Sequence, residues 1–196
     1  MGAGTLKRCV RNDIMSEDTR EIIMGAALKI FAEEGYTGAK TRIIAKESGF
    51  SEMTLFRKFK SKENLFDTVL IQQKEYLLQE ASIIFRYNDV ENPVKSFKVL
   101  IQQVHNLMEE NFPFISLYIN ERRRVSERIL DEFIIYLSRQ IELRFPKIKI
   151  NTKTLAFNIF SFIYIFIFDK YKSYSIIDHE EALNEFIDNC TLILTT

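Results

Sequence analysis

Residues 35–66 read GYTGAKTRIIAKESGFSEMTLFRKFKSKENLF, and they predict two short helices joined by a tight turn. The first helix is expected over residues 41–48. The second is expected over residues 52–59, with Ser51 as its N-terminal cap. Gly49 supplies the left-handed residue that the turn between the two helices needs. The stretch is therefore a candidate helix-turn-helix.

The second of these helices has one apolar face and one outward face. Leu55 and Phe59 are four residues apart, so both side chains can face inward. A short helix with an exposed polar and basic face is what docking in the DNA major groove requires. The outward positions are Glu52, Met53, Thr54, Arg57 and Lys58. An ordinary helical hairpin on a bundle has the same periodicity, so the pattern alone leaves both interpretations open.

The stretch resembles the DNA-binding signature of the tetracycline-repressor-type (TetR/AcrR) transcriptional regulators, and the resemblance covers residues 19–66. The matching positions are Gly35-Tyr36, Thr41, Ile44-Ala45, Ser48-Gly49, Ser51, Thr54-Leu55, Phe59, Ser61-Lys62-Glu63 and Leu65. The rest of the chain resembles the family only in length, helicity and order of elements. This chain departs from the family pattern at three positions. Met53 stands where Gly is common, Phe50 where Val is usual, and Phe56 where a Tyr hydroxyl tends to reach a phosphate.

Two groups of DNA-contacting residues follow from the resemblance together with the chemistry of the side chains. The predicted phosphate contacts are Lys40, Thr41, Lys58 and Lys62. The predicted contacts to base edges are Arg42, Glu52, Met53, Thr54 and Arg57. Ser51 and Phe56 complete the predicted DNA-binding set. Which arginine reads a base stays open.

The charge of the chain is zero in sum but uneven in distribution. The 196 residues include 27 Lys and Arg against 27 Asp and Glu. Residues 1–64 carry a net charge of +3, residues 65–196 a net charge of −3, and residues 36–62 alone a net charge of +5. Such asymmetry points to contact with a polyanion, although a charge cluster is often only a solvated face.

Composition and periodicity predict an all-α fold of about nine helices. Only 6 Gly and 3 Pro argue against a turn-rich β-sandwich. The expected helices are residues 16–35, 41–48, 52–59, 62–85, 93–111, 114–122, 126–145, 152–171 and 179–194. We expect a flexible arm over residues 1–15, a helix-turn-helix DNA-binding domain over 16–62, and a ligand-binding and dimerisation domain over 63–196.

Several other classes of protein are disfavoured. Two Cys and two well-separated His residues are too few for a disulfide framework or a metal centre, so no metal and no cofactor are expected. The chain lacks a convergent set of acid, base and nucleophile, and we therefore expect no enzymatic activity. Residues 1–15 have no apolar run, so no secretory signal is expected, and the most apolar run, residues 155–168, is shorter than a membrane span. A soluble cytoplasmic protein without a membrane partner is expected.

The middle and end of the chain supply candidates for two further surfaces. An apolar effector pocket is predicted from Phe66, Leu70, Phe97, Ile101, His105, Met108, Leu117, Tyr118 and Phe133, although most such residues simply pack. The basic run at residues 121–124 is either an anion site or a solvated helix end. As the resemblance implies, the last two helices should form a homodimer interface, with candidates Phe157, Phe160, Ile163, Tyr164, Ile167, Phe186 and Cys190.

The sequence therefore predicts a DNA-binding transcriptional regulator. It is expected to be a repressor that binds a palindromic double-stranded operator as a homodimer and is released by a small apolar or aromatic effector. The alternative is a helical ligand-binding or structural protein whose helix-turn-helix head does not bind DNA specifically.

Overall fold

The computed structural model describes residues 3–85, 92–125, 128–172 and 178–192, with side chains described from residue 18 onward. Across these ranges the secondary structure is helical, with no strand. The helices are α1 (Ala3–Gly38), α2 (Thr41–Glu47), α3 (Glu52–Phe59), α4 (Lys62–Ile84), α5 (Pro93–Glu110), α6 (Phe112–Asn120), α7 (Ile129–Arg144), α8 (Thr152–Lys172) and α9 (His179–Leu192). The predicted all-α fold of about nine helices is confirmed.

Where a capping residue stands next to a helix, the helix begins at the position that the sequence predicts. α3 has the predicted bounds, and Asn92 caps α5 by accepting a hydrogen bond from the Lys95 backbone N–H at 2.9 Å. The predicted end of the first helical stretch at Gly35 is confirmed by a break in the helix there. Gly35 has φ 68° and ψ 172°, so it breaks α1, and helical structure resumes up to Gly38. The predicted helix ends at residues 126 and 194 lie outside the described residues.

The chain divides into two compact units. Unit 1 consists of Met1–Lys74 and Pro113–Ser126, and unit 2 consists of Glu75–Phe112 and Glu127–Thr196. The segment 113–126 thus packs with the N-terminal head, although it is distant from the head in sequence. The predicted start of the first helix at residue 16 is wrong, because α1 begins at Ala3 and so extends through most of the expected arm. The functional division into an arm, a head and a body stays a prediction.

Aromatic and aliphatic side chains of α1, α3 and α4 form the core of unit 1. Ile23, Ala27 and Phe31 lie on one face of α1 and are fully buried. The Phe31 ring meets the Phe66 ring of α4 edge-on, with centroids 5.1 Å apart. At the surface, Lys29 of α1 and Glu47 of α2 form an exposed ion pair at 2.6 Å. α1 and α4 therefore provide the apolar platform of the head.

Unit 2 contains α5, α7, α8, α9 and residues 75–84 of α4, and several of its aromatic rings pack in pairs. The centroids of Phe97 and Phe145 are 5.3 Å apart, those of Phe133 and Phe160 6.0 Å apart, and those of Phe162 and Phe186 3.8 Å apart. Surface ion pairs join α5 to its neighbours: Lys98 bonds to Asp188 of α9, and Glu109 bonds to Lys170 of α8, each at 2.5 Å. Paired aromatic rings therefore pack in this core beside fully buried aliphatic side chains such as Leu100 and Ile141.

One helix of unit 2 is long and apolar enough to cross a membrane by length and composition, and it covers residues 152–171 of α8. Its Ala156, Ile159, Ile163 and Ile167 side chains are fully buried against other helices of the unit. The core helix of a globular bundle has the same composition, so this helix is only weak evidence for a membrane span.

Two glycine substitutions test the backbone of unit 1. Gly49 has φ 76°, a conformation in which an added Cβ is strained, and Gly25 lies inside α1 with open space around it. Gly49→Ala should lower the free energy of unfolding by about 1–2 kcal/mol, whereas Gly25→Ala should raise it by about 0.5–1 kcal/mol. Urea denaturation measures both values. Equal effects of the same sign would contradict the described turn.

Candidate nucleic-acid interface

The turn between α2 and α3 is closed by local interactions. The Phe50 backbone N–H donates to the Ala45 carbonyl at 3.0 Å, while Gly49 takes the left-handed conformation. Ser51 Oγ accepts the Thr54 backbone N–H at 3.2 Å and so caps α3, as predicted. These bonds fix the start of α3 and the direction in which the helix leaves the turn.

α3 presents two different faces, as the sequence predicts. Leu55 and Phe59 are completely buried, and the Arg20 guanidinium of α1 lies 4.8 Å from the centre of the Phe59 ring. On the opposite face the Met53 side chain is 80% exposed, and Arg57 is also exposed. An eight-residue helix anchored on one side in this way offers its other side to a partner.

The predicted base-reading residues are not all equally available. The Thr41 hydroxyl of α2 donates to Glu52 Oε1 at 2.5 Å, which ties the start of α2 to the start of α3. The Thr54 hydroxyl lies 3.0 Å from Ser51 Oγ. Because Glu52 and Thr54 are already engaged within the head, Arg57 and Met53 are the more accessible side chains of α3.

Cations surround this face. Lys40 and Arg42 are exposed at the beginning of α2, and Lys58 is half-buried on α3. Lys60, at the C-terminal end of α3, is exposed and has a positive φ of 66°. Lys60 lies within the basic window of residues 36–62 but is not among the predicted DNA contacts. Its position directly after α3, the predicted base-reading helix, is the signal that could have added Lys60 to the predicted DNA contacts.

Lys62 occupies a different environment from the other cations. It is half-buried at the start of α4, and its ammonium lies 4.6 Å from the centre of the Tyr36 ring. Burial, with a smaller contribution from the nearby Arg124 charge, lowers the pKa of Lys62, while Glu121 acts in the opposite direction. The Arg124 guanidinium carbon lies 3.9 Å from the centre of the same ring. The sequence contains no local signal for this association.

The basic run at residues 121–124 lines an open groove of unit 1. Arg123 and Arg124 share this groove with Glu63 and Glu121. Arg124 Nε lies 3.8 Å from Glu121 Oε2. Carboxylates therefore accompany the arginines, an arrangement that favours internal pairing over a site for an anion.

The predicted effector-pocket residues are nearly all buried. The structure divides them between the two units: Phe66, Leu70, Leu117 and Tyr118 belong to unit 1, and Phe97, Ile101, His105, Met108 and Phe133 belong to unit 2. His105 is only half-buried, and its Nδ1 lies 3.3 Å from Asn106 Oδ1. The effector pocket stays a prediction.

The predicted dimer residues differ in exposure. Phe160, Ile163, Ile167 and Cys190 are buried within the chain itself, and burial raises the pKa of the Cys190 thiol to about 11. Tyr164 and Phe186 are half-buried, whereas Phe157 is 52% exposed. Of the predicted set, Phe157 is thus the side chain that lies most openly on the surface.

Comparison with known proteins agrees with the geometry of the head. A sequence model described as "Bacterial regulatory proteins, tetR family" matches residues 23–69. The HTH-type transcriptional regulator YvkB of Bacillus subtilis is 37% identical over 54 residues, 28% of this chain and 29% of that protein. The chain thus spans less than a third of YvkB. YhgD, an HTH-type transcriptional regulator from the same organism, is 26% identical over 177 residues, 85% of this chain and 91% of its own length.

The helical fold also matches a solved structure over most of the chain. The transcriptional regulator FadR from Bacillus subtilis, solved in complex with stearoyl-CoA, superposes with a TM-score of 0.62. It is 16% identical in sequence, and the alignment covers 89% of this chain and 97% of FadR. Residues 23–69 thus match the helix-turn-helix head of tetR-family regulators, YhgD resembles the chain over most of its length, and FadR shares its helical fold.

Proposed function

We propose that this chain is a cytoplasmic repressor that binds a palindromic operator as a homodimer and is released by a small-molecule effector. The observation that carries the proposal is the two-sided α3, with Leu55 and Phe59 buried and Met53 and Arg57 exposed. A single reading head of this size binds weakly, so two heads should act together, about 34–36 Å apart or a multiple of that distance.

The exposed face of α8 supports a homodimer. Phe157, Tyr164 and Tyr171 follow one another at intervals of seven residues, and with Phe168 they form the α8 stripe. Seven-residue spacing places side chains on one face of a helix, as in helices that pair with a partner helix. Phe157 and Tyr171 are 52% and 56% exposed. A second copy of the chain, which carries the same aromatic stripe, is the proposed partner.

The class of effector is proposed from the apolar composition of the helices and from the FadR comparison. The chain contains 17 Phe and 8 Tyr, many of them buried. FadR, which has the same fold, was solved with stearoyl-CoA. We therefore take a long acyl thioester as the first candidate effector for this chain. An effector releases DNA only if it binds the two states of the protein with different affinities.

Arg57 is the substitution that tests operator binding. The operator is first selected from random double-stranded DNA with the full chain, and affinity is then measured by gel shift. Arg57→Ala should weaken binding by tenfold or more, since one good base contact is worth about 1–3 kcal/mol. Arg139→Ala removes an exposed arginine of α7 in unit 2 and should leave affinity unchanged.

The same experiment separates the two functional hypotheses. With about three cationic phosphate contacts in each protomer, from Lys40, Lys58 and Lys62, the log–log salt slope of operator binding should be roughly −5. Selection that yields no preferred sequence would favour the alternative, a helical protein whose head does not bind DNA specifically. Normal operator binding by Arg57→Ala would contradict the proposed role of α3.

Phe157 tests the dimer. Phe157→Glu places a charge within the α8 stripe and should raise the dimer dissociation constant by tenfold or more, about 1.4 kcal/mol. Leu143→Glu makes the same change at a residue of α7 that is 73% exposed, and it should leave the dimer intact. Sedimentation velocity at micromolar concentration measures both variants. A wild-type protein that sediments as a monomer at that concentration would rule the homodimer out.

Stearoyl-CoA tests the effector class. Added to the complex of the chain with its selected operator, it should release the DNA, whereas coenzyme A without an acyl chain should not. Gel shift at increasing ligand concentration gives the comparison. If both compounds release DNA equally, or neither does, the acyl chain is not the recognised group, and DNA binding itself stands.

A further inference from the structure

Unit 1 contains a polar and aromatic cluster that joins the start of α4 to the segment after α6. We propose that Glu121 and Arg124 are positioning residues for DNA binding, which set the place of the Lys62 ammonium through the Tyr36 ring. The inference rests on the proposed function, because it takes Lys62 as a phosphate contact. We name the four residues Tyr36, Lys62, Glu121 and Arg124 the Tyr36 cluster.

The backbone at Gly35 admits the Glu121 carboxylate. Gly35 has φ 68° and ψ 172°, a conformation that is essentially restricted to glycine. A Cβ atom at this position would come within 3.2 Å of Glu121 Oε1. The same oxygen accepts the Tyr36 backbone N–H at 2.8 Å. The break in α1 therefore has a specific partner, a carboxylate 85 residues further along the chain.

The Tyr36 ring is held firmly enough to act as a support. Its centroid lies 5.0 Å from that of Phe66 and 6.1 Å from that of Phe31, and Phe31 and Phe66 are fully buried. Two cations approach this ring, Lys62 at 4.6 Å and Arg124 at 3.9 Å from its centre. A cation over an aromatic face is attracted by the ring quadrupole, so both side chains are held by the same ring.

The charges in the cluster determine in which direction each substitution should act. Arg124 repels the Lys62 ammonium, and Glu121 attracts it. If Arg124 is removed, Glu121 loses a cationic neighbour and draws Lys62 inward, away from a phosphate. If Glu121 is neutralised, that attraction is lost, and both cations become more available to an anion. The two substitutions should therefore change DNA affinity in opposite directions, which a purely structural role for the cluster does not predict.

The test is a double-mutant cycle on the selected operator. Arg124→Ala should weaken binding about tenfold and reduce the salt slope, because one phosphate contact per protomer is lost. Glu121→Gln, which keeps an oxygen for the Tyr36 N–H, should tighten binding about threefold. In a Lys62→Ala background each change should alter affinity less than about twofold, since the residue through which they act is absent.

Two controls separate an effect on the position of Lys62 from a general loss of positive charge and from unfolding. Arg122→Ala removes an exposed arginine from the same run and should leave affinity nearly unchanged. Urea denaturation of every variant confirms that the folded protein is being compared. The inference is overturned if the losses of affinity caused by Arg124→Ala and Lys62→Ala multiply in the double variant, or if Glu121→Gln weakens binding. The proposed function stands in either case. A wild-type chain that selects no operator contradicts the proposed function, and the inference with it.

Discussion

The DNA-reading surface depends on the burial of two side chains on one short helix. Leu55 and Phe59 lie on the same side of α3 and are removed from water completely. Burial of two such side chains is worth several kcal/mol, about 1.5–3 kcal/mol each, which is far more than an isolated eight-residue helix could supply by itself. The Ser51 cap and the turn at Gly49 then fix the direction of the helix. Because one side is anchored, Met53 and Arg57 remain on the other.

The zero net charge of the chain does not oppose this account. The positive charge is concentrated in residues 36–62, which carry +5, and residues 65–196 compensate with −3. Since the total is balanced, long-range attraction to DNA should be modest and strongly screened by salt. Under the proposed function, recognition then depends on a well-presented helix in each of two subunits more than on bulk charge.

The parts of the structure that local chemistry determines could be predicted from the sequence. The bounds of α3 and its cap at Ser51 follow from residues a few positions apart. The hydrogen bond between Tyr36 and Glu121 could not be predicted, because the two residues are 85 positions apart and no local pattern links them. Gly35 was expected to end the first helix, since glycine is a common stop signal, and it does break α1. That its conformation also leaves room for the Glu121 carboxylate could not be predicted from neighbouring residues. α8 is apolar nearly all round, so its periodicity could not distinguish the buried Ile163 from the exposed Phe157.

The central claim is that two copies of α3 read one operator. Hydroxyl-radical footprinting of the full chain on its selected site tests this claim most directly. The account predicts two protected patches related by symmetry on one face of the DNA, with centres about 34–36 Å or a multiple of that distance apart. A single protected patch, or uniform cleavage along the DNA at concentrations that saturate the gel shift, would contradict it.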